Sequence, residues 1–472
     1  MSRLINRRRF LGSANCAALG SLGIFNTLVN LKLIGNAVAA PPAGPGDYRA
    51  MVCLFLHGGN DSYNLLAPTS VTEHANYLAI RSNLALPAPG SGSPTALLPL
   101  NSTNTPGRTF GVHHAMPQLQ QLFNNGKAAF VANVGTLVEP TTVAQFKNNS
   151  VKLPLSLFSH NDQRREWQTS VPQSSLKTGW GGRLADRMMG FNSSNQVSMN
   201  ISLEGSNLLQ TGNVNFAYTI DPSGAKTLIG ATSAVDAELN RVRGAKSLVE
   251  YTYRDVLRRA FSEEAKRSYE TAEQFAGIFD AATVNTVFPT TALGQDLRAV
   301  AKTIASRSPL GHSRQIYYVQ LGGFDNHAEL LNTQAGLLRA LDAALKSFYD
   351  ALVELGVANE VALFTCSDFG RTLRSNGQGT DHAWAGNTIV MGGAVNGSKI
   401  YGSYPDDSQL KIGAGLDVGF NGRLLPTTSC DQYFAELALW FGLAPSDLPE
   451  IFPNLGNFYS HSSGSPPLGF LL

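Results

Sequence analysis

MVCLFLHGGNDS, residues 51–62, carries the pattern that decides the fold. An apolar run ends at Leu56 and passes through His57 into two glycines, Asn60, Asp61 and Ser62. Such a run reads as a β-strand, and glycines after it permit a sharp turn. The pattern returns: QIYYVQL runs into GGFDNH (Gly322 to His327) and EVALFTC into SDFGRT (Ser367 to Thr372), with GTDH (Gly379 to His382) just beyond. In an open parallel α/β sheet, ligands bind beyond the carboxyl ends of the strands. Asp and His gathered there from distant parts of the chain point to a metal site, because carboxylate oxygens and imidazoles can share one divalent cation.

The chain has 472 residues, 43% hydrophobic and 15% charged, a globular composition. One large α/β domain or two domains fit this length. The net charge is only +2, and no basic block follows the N-terminus, so no nucleic-acid partner is expected. NRRRFLG (Asn6 to Gly12), an apolar stretch and Ala37-Val38-Ala39 together read as a cleaved export signal over residues 1–39. The arginines followed by Phe10-Leu11 resemble the twin-arginine type, although Asn6 stands where that pattern prefers Ser or Thr. Lys32 interrupts the apolar stretch, which argues against a stable membrane span. The expectation is an exported protein of a bacterial periplasm or cell envelope, with the twin-arginine export machinery as a partner. Losing Arg3, Arg7, Arg8, Arg9 and Lys32 leaves 31 of 36 basic residues against 34 acidic ones, a net charge of −3. Cys53 and Cys366 sit in strand-like runs, where a free cysteine is a small core residue, and no cysteine chemistry is assigned.

Residues 40–47 read as a linker and 48–460 as the α/β domain. Strands are expected at Ala50–Leu56, Ala128–Asn133, Val197–Leu203, Gln315–Leu321, Glu360–Cys366 and Asn387–Met391. The charged, helix-periodic stretch from Ala234 to Ala282 predicts two or three helices, an insertion at about 230–290. Ser159 to Trp167 has Ser or Asn at a helix start. Leu331, Leu338, Leu341, Leu345, Phe348 and Leu352 predict a long helix from Ala328 to Glu354. A last helix spans Asp431–Trp440, and the Ser/Gly/Pro-rich residues 461–472 read as a flexible tail.

Asp325 and His327 lie two apart, so at the end of an extended segment both can reach one cation, although Asp325 could also cap the helix that follows. Asp368 follows a strand and could equally be an N-cap. Arg371 could bind an anionic group or pair with Asp368. Asp381 and His382 face opposite ways in extended geometry, which makes His382 the ligand and Asp381 the group that orients a ligand. Asp61 is a ligand candidate or a turn residue. His57 could be a core histidine, and His113 and His114 are left unassigned. Ser159, at a helix start beside His160, is the nucleophile candidate, and Ser62 a weaker one. No G-x-S-x-G elbow occurs, which disfavours a Ser-His-Asp α/β-hydrolase.

GGNDS, Ser159-His160, TGWGGRLAD (Thr178 to Asp186), GGFDNH, SDFGRT, GTDH and GGAVNGSKIYGSYP (Gly392 to Pro405) follow one another in this order. Together with the TTSCDQYFAELALWFGL and FPNLGNF ending, the order resembles the DUF1501 family of exported bacterial proteins, a branch of the alkaline phosphatase and sulfatase superfamily. The resemblance implies a three-layer α/β/α sandwich, one or two divalent metal ions, and a phosphate or sulfate ester, or a glycan, as substrate. It maps the superfamily's metal ligands onto Asp61, Asp325, His327, Asp368 and His382, and its nucleophile onto Ser159. Where the superfamily's phosphatases place His after the Asp of the SDFGRT-like motif, this chain has Phe369. Either one metal binds, or Asp381 or a histidine elsewhere substitutes, or catalysis is lost. Two functions follow: a metal-dependent hydrolase of such esters, or a non-catalytic envelope protein that keeps the fold to bind a glycan or protein partner.

Overall fold

In the computed structural model the described residues are 47–101, 103–225 and 235–471; the expected signal over residues 1–39 lies outside them. Among the described residues the central sheet has ten strands. They are β1 (Arg49–Leu56), β2 (Ala128–Gly135), β3 (Asn200–Ser202), β4 (Tyr218–Asp221), β5 (Gly224–Ala225), β6 (Arg314–Leu321), β7 (Val361–Ser367), β8 (Gly386–Met391), β9 (Ile400–Gly402) and β10 (Thr428–Ser429). Their order is β9-β2-β8-β7-β1-β6-β3-β4-β5, with β10 also on β2.

Side chains of a strand alternate between faces, and β1 separates two cores accordingly. Ala50, Val52, Leu54 and Leu56 join Leu338, Leu341, Leu345, Phe348 and Leu352 of the helix Leu330–Glu354. Met51, Cys53 and Phe55 join Trp180, Leu184, Tyr433, Phe434 and Leu437, which come from the helices Trp180–Met188 and Cys430–Phe441. Helices cover both faces, so the expected three-layer α/β/α sandwich is present. Cys53, Cys366 and Cys430 are buried free thiols. The helices Asp236–Glu250 and Val256–Ala281 lie in the stretch read as an insertion, and Phe275 and Phe279 anchor the second in the first core. No helix among the described residues is long and apolar enough to cross a membrane.

The sheet is mixed: β8 runs antiparallel to both β7 and β2. A parallel return would need a long, usually helical crossover, and residues 368–385 contain no helix. They leave the end of β7 and come back at that same end, which keeps Asp368, Arg371, Asp381 and His382 on one rim. The tail expected to be flexible is docked at its end. Glu436 accepts the backbone N–H groups of Leu468 at 2.8 Å, Gly469 at 2.9 Å and Leu471 at 3.1 Å. Phe470 is buried against Tyr401 and Tyr433.

Two carboxyls lie buried under the sheet's second face. Glu166 accepts the Thr136 hydroxyl at 2.7 Å, and Asp431 accepts that of Ser170. Burial outweighs these bonds and pushes both up to about 7, from ordinary values of 4.5 and 3.8. The folded chain therefore keeps protons that the unfolded chain releases. Their contribution is complete below the unfolded values and is lost as pH rises toward 7. Glu166→Gln with Asp431→Asn is expected to flatten that decline, at about 1.4 kcal/mol per pKa unit removed. Urea midpoints at about pH 4.5 and about pH 8 measure it.

Candidate metal centre

Leu56 pairs in register with Leu321 of β6 and with Ser367 of β7. The three loops that follow therefore leave the sheet at one level. They bring His57, then Asp325 and His327, then Asp368, Arg371, Asp381 and His382. The helix α1 (His160–Thr169), with Ser159 at its N-cap, adds His160 and Arg164. Two glycines let the loops close. Gly58 has φ +115°, and a Cβ there would stand 2.5 Å from the Asp325 backbone nitrogen. Gly59 has φ +86°, and a Cβ there would stand 2.5 Å from the Phe369 ring.

Three imidazoles are oriented by oxygen acceptors. His160 Nδ1 lies 2.7 Å from Asp368 Oδ2, His327 Nδ1 3.1 Å from Asp381 Oδ1, and His382 Nδ1 2.9 Å from the Phe158 carbonyl. A carboxylate or carbonyl oxygen only accepts, so each Nδ1 carries a hydrogen and each ring turns its Nε2 the other way. All three Nε2 atoms face Asp325: His160 at 3.3 Å from Oδ2, His327 at 3.1 Å and His382 at 3.3 Å from Oδ1. The Nε2 atoms of His327 and His382 are 3.0 Å apart. Lone pairs this close need a positive charge between them, either a proton on one ring or a metal cation. Ligand atoms of His160, Asp325 and His382 lie within 4.8 Å of one another, so one ion could touch all three. A second ring nitrogen held by a carboxylate or carbonyl is the usual setting of a metal-bound histidine. The residues present therefore fit a divalent cation with nitrogen and oxygen ligands.

The electrostatics agree. Burial raises the Asp325 carboxyl, but the Arg371 bond and charge, with His160 and His327 beside it, outweigh burial and hold it below the usual carboxylate range. Burial is the largest influence on His382 and lowers it, against the Phe158 carbonyl, which raises it. A neutral imidazole is the form that ligates metal. The Asp325 side chain is 44% exposed, so the centre is open to an incoming ligand.

The structure brings together His160, Asp325, His327 and His382 and sets the other candidates around or away from them. Asp368 is fully buried; its Oδ2 holds His160 and its Oδ1 has no hydrogen-bond partner. It acts through His160 rather than on the shared centre. Asp381 orients His327, not its neighbour His382. Arg371 is buried and donates to Asp325 at 2.8 Å and to the Thr380 carbonyl, so it is a clamp for the loops, not a free anion receptor. Asp61, expected as a ligand, is buried elsewhere: its Oδ2 meets Arg81 Nη2 at 2.6 Å and Thr380 Oγ1 at 3.2 Å. A fixed guanidinium already neutralises it. Ser62 is also buried, accepting the Asn387 N–H at 2.8 Å, and cannot meet a substrate. Ser159 Oγ donates to Asp162 at 2.8 Å.

His160, Arg164 and Phe158 were not singled out from the sequence as site residues. The His160 ring packs on that of Phe369 at 4.7 Å, and the His382 ring packs on it at 4.6 Å. The signal available was its place beside a helix-start serine. Arg164 lies one turn along α1 and meets His57 Nε2. Burial lowers His57, while Asp368 raises it and Arg164 lowers it further.

A family model described as "Protein of unknown function (DUF1501)" matches residues 48–416. No curated protein matches the chain. Among solved structures the chain is similar to Ps i-CgsB in complex with k-i-k-neocarrahexaose, at 10% identity over 86% of this chain and 76% of that one, with a TM-score of 0.34. It is similar to the PsFucS1 sulfatase from Pseudoalteromonas sp., at 8% identity over 79% and 67%, with a TM-score of 0.32. It is also similar to the lipoteichoic acid synthase LtaP from Listeria monocytogenes, at 8% identity over 84% and 82%, with a TM-score of 0.30. Likenesses this distant assign neither substrate nor reaction. The family match spans most of the chain, and the chain belongs to the family described as "Protein of unknown function (DUF1501)".

Proposed function

We propose that this protein is an exported, metal-dependent hydrolase of phosphate or sulfate esters, delivered to a bacterial periplasm or cell envelope by a twin-arginine signal. The observation that carries the reading is the convergence of the His160, His327 and His382 Nε2 atoms on Asp325, with each Nδ1 held by an oxygen acceptor. His160, Asp325 and His382, with His327 beside them, would hold the ion. A divalent cation supplies Lewis acidity and neutralises charge on an ester anion. Ser159 is the nucleophile in this reading: Asp162, 2.8 Å from its hydroxyl, takes the proton as the Ser159 oxygen bonds to phosphorus or sulfur. The ester's alcohol leaves with a proton from solvent, and water then cleaves the seryl ester to free Ser159 and release phosphate or sulfate. Arg164 stands on the same face of α1 as His160 and would attract the substrate's negative charge.

The alternative, a non-catalytic envelope protein that binds a glycan or protein partner, is favoured by one observation. The guanidinium of Arg371 already occupies Asp325 Oδ1, which weakens that oxygen's claim on a metal. The purified full chain is expected to carry about one divalent ion and to hydrolyse an aryl phosphate or sulfate, with activity removed by a chelator and restored by metal. Protein without metal and without metal-restored hydrolysis removes the enzyme reading and leaves the binder.

A further inference from the structure

The imidazole of His382 is oriented from outside the loop that carries it. Phe158 has φ +70°, the left-handed region that a bulky side chain rarely adopts. That conformation aims its carbonyl at His382 Nδ1, at 2.9 Å. Two contacts hold it. Buried Gln163 accepts the Phe158 N–H. Arg423 places its guanidinium 4.3 Å from the centre of the Phe158 ring. The same Arg423 donates from Nε to the His382 carbonyl at 2.9 Å. Arg423 is fixed in turn by a loop wound around buried Asp417, which accepts the N–H groups of Gly413 at 2.7 Å, Gly419 at 2.8 Å, Gly422 at 2.8 Å and Arg423 at 3.0 Å.

We infer that Arg423 and Phe158 are positioning residues: they lock His382 with its hydrogen on Nδ1, so that its Nε2 lone pair points at the Asp325 centre before any ligand arrives. One guanidinium touches both partners of the hydrogen bond, gripping the His382 backbone from one side and the Phe158 ring from the other. The strain at Phe158 persists because these contacts over-determine it. This rests on the metal reading above, but the orientation of the ring can be measured without metal.

The test uses the full chain, stripped of metal, as wild type, R423A, F158A and F158G. Ring-nitrogen NMR shifts report the His382 tautomer, and a Co²⁺ titration followed by visible absorption reports affinity. The wild type is expected to hold the Nδ1–H form. R423A and F158A are expected to show mixed tautomers and about 10-fold weaker Co²⁺ binding, the scale of losing a group that orients a ligand. F158G is expected to recover part of that loss relative to F158A, because glycine adopts positive φ without strain. A folded R423A with wild-type tautomer and affinity overturns the inference, as does F158G binding no better than F158A. If R423A does not fold, the pair at position 158 decides. If the wild type binds no Co²⁺, the metal reading falls, and the tautomer populations alone support or overturn the positioning role.

Discussion

Asp325→Asn is expected to reduce metal affinity by more than about 100-fold, beyond the 10- to 100-fold scale for groups that only orient a ligand. The carboxylate is the point on which His160, His327 and His382 converge, at 3.1 to 3.3 Å. An amide keeps the shape but loses the charge that offsets a cation among imidazoles. It also leaves the guanidinium of Arg371, whose side chain is 0% exposed, without its anionic partner. Some loss of stability should accompany the change, moderated because Asp325 itself is half-exposed. Metal content after dialysis and competition with a chelator measure the effect. Full stoichiometry retained in a folded Asp325→Asn protein would place the metal elsewhere. His160→Ala should also weaken binding, because its Nε2 is one of the three that converge on Asp325.

Asp61→Ala is expected to destabilise the protein by about 3–5 kcal/mol, the range for breaking a buried ion pair by removing one partner. Asp61 and Arg81 meet at 2.6 Å with side chains 2% and 1% exposed. Arg81 also donates to Asn64 at 3.1 Å and to the carbonyls of Thr372 at 3.0 Å and Leu373 at 3.2 Å. It thus rivets the helix Val71–Arg81 to the segment that leads toward Asp381. Asp61→Ala leaves that guanidinium buried and unpaired. Adding Arg81→Met should recover part of the loss, because the stranded charge goes with it. Denaturant midpoints of the two single variants and the double variant give the coupling directly. A double variant less stable than Asp61→Ala alone would contradict the unpaired-charge account. Metal content should stay unchanged in Asp61→Ala, in contrast to Asp325→Asn.

The strands are legible in the chain because an apolar run is a local signal. Ala50–Leu56, Gln315–Leu321 and Glu360–Cys366 all lie within a residue of the observed β1, β6 and β7. The helix expected over Ala328 to Glu354 is observed at Leu330–Glu354 for the same reason, since its periodicity is complete within the segment. The direction of β8 is not local. Asn387–Met391 has the same composition in either orientation, and only the course of residues 368–385 decides it. The docked tail escapes composition too. Its Ser/Gly/Pro content is that of a loop, and what holds it is Glu436, in a helix earlier in the chain.

The site divides along the same line. Acids and histidines just beyond strand ends name a rim, and the sequence by itself placed Asp325, His327, Asp381 and His382 on it. It also determined the layered α/β class, because periodicity and glycine turns act over a few residues. Which rim groups touch was decided by tertiary structure alone. His160 and Asp368 are 208 residues apart, and Arg81 and Thr372 are 291 apart. Asp61 and Asp325 look alike as strand-end acids. Each meets a buried guanidinium, Arg81 for Asp61 and Arg371 for Asp325, but only Asp325 also meets three imidazoles, because a side chain's partner is set by through-space packing of segments whose separation no local pattern records.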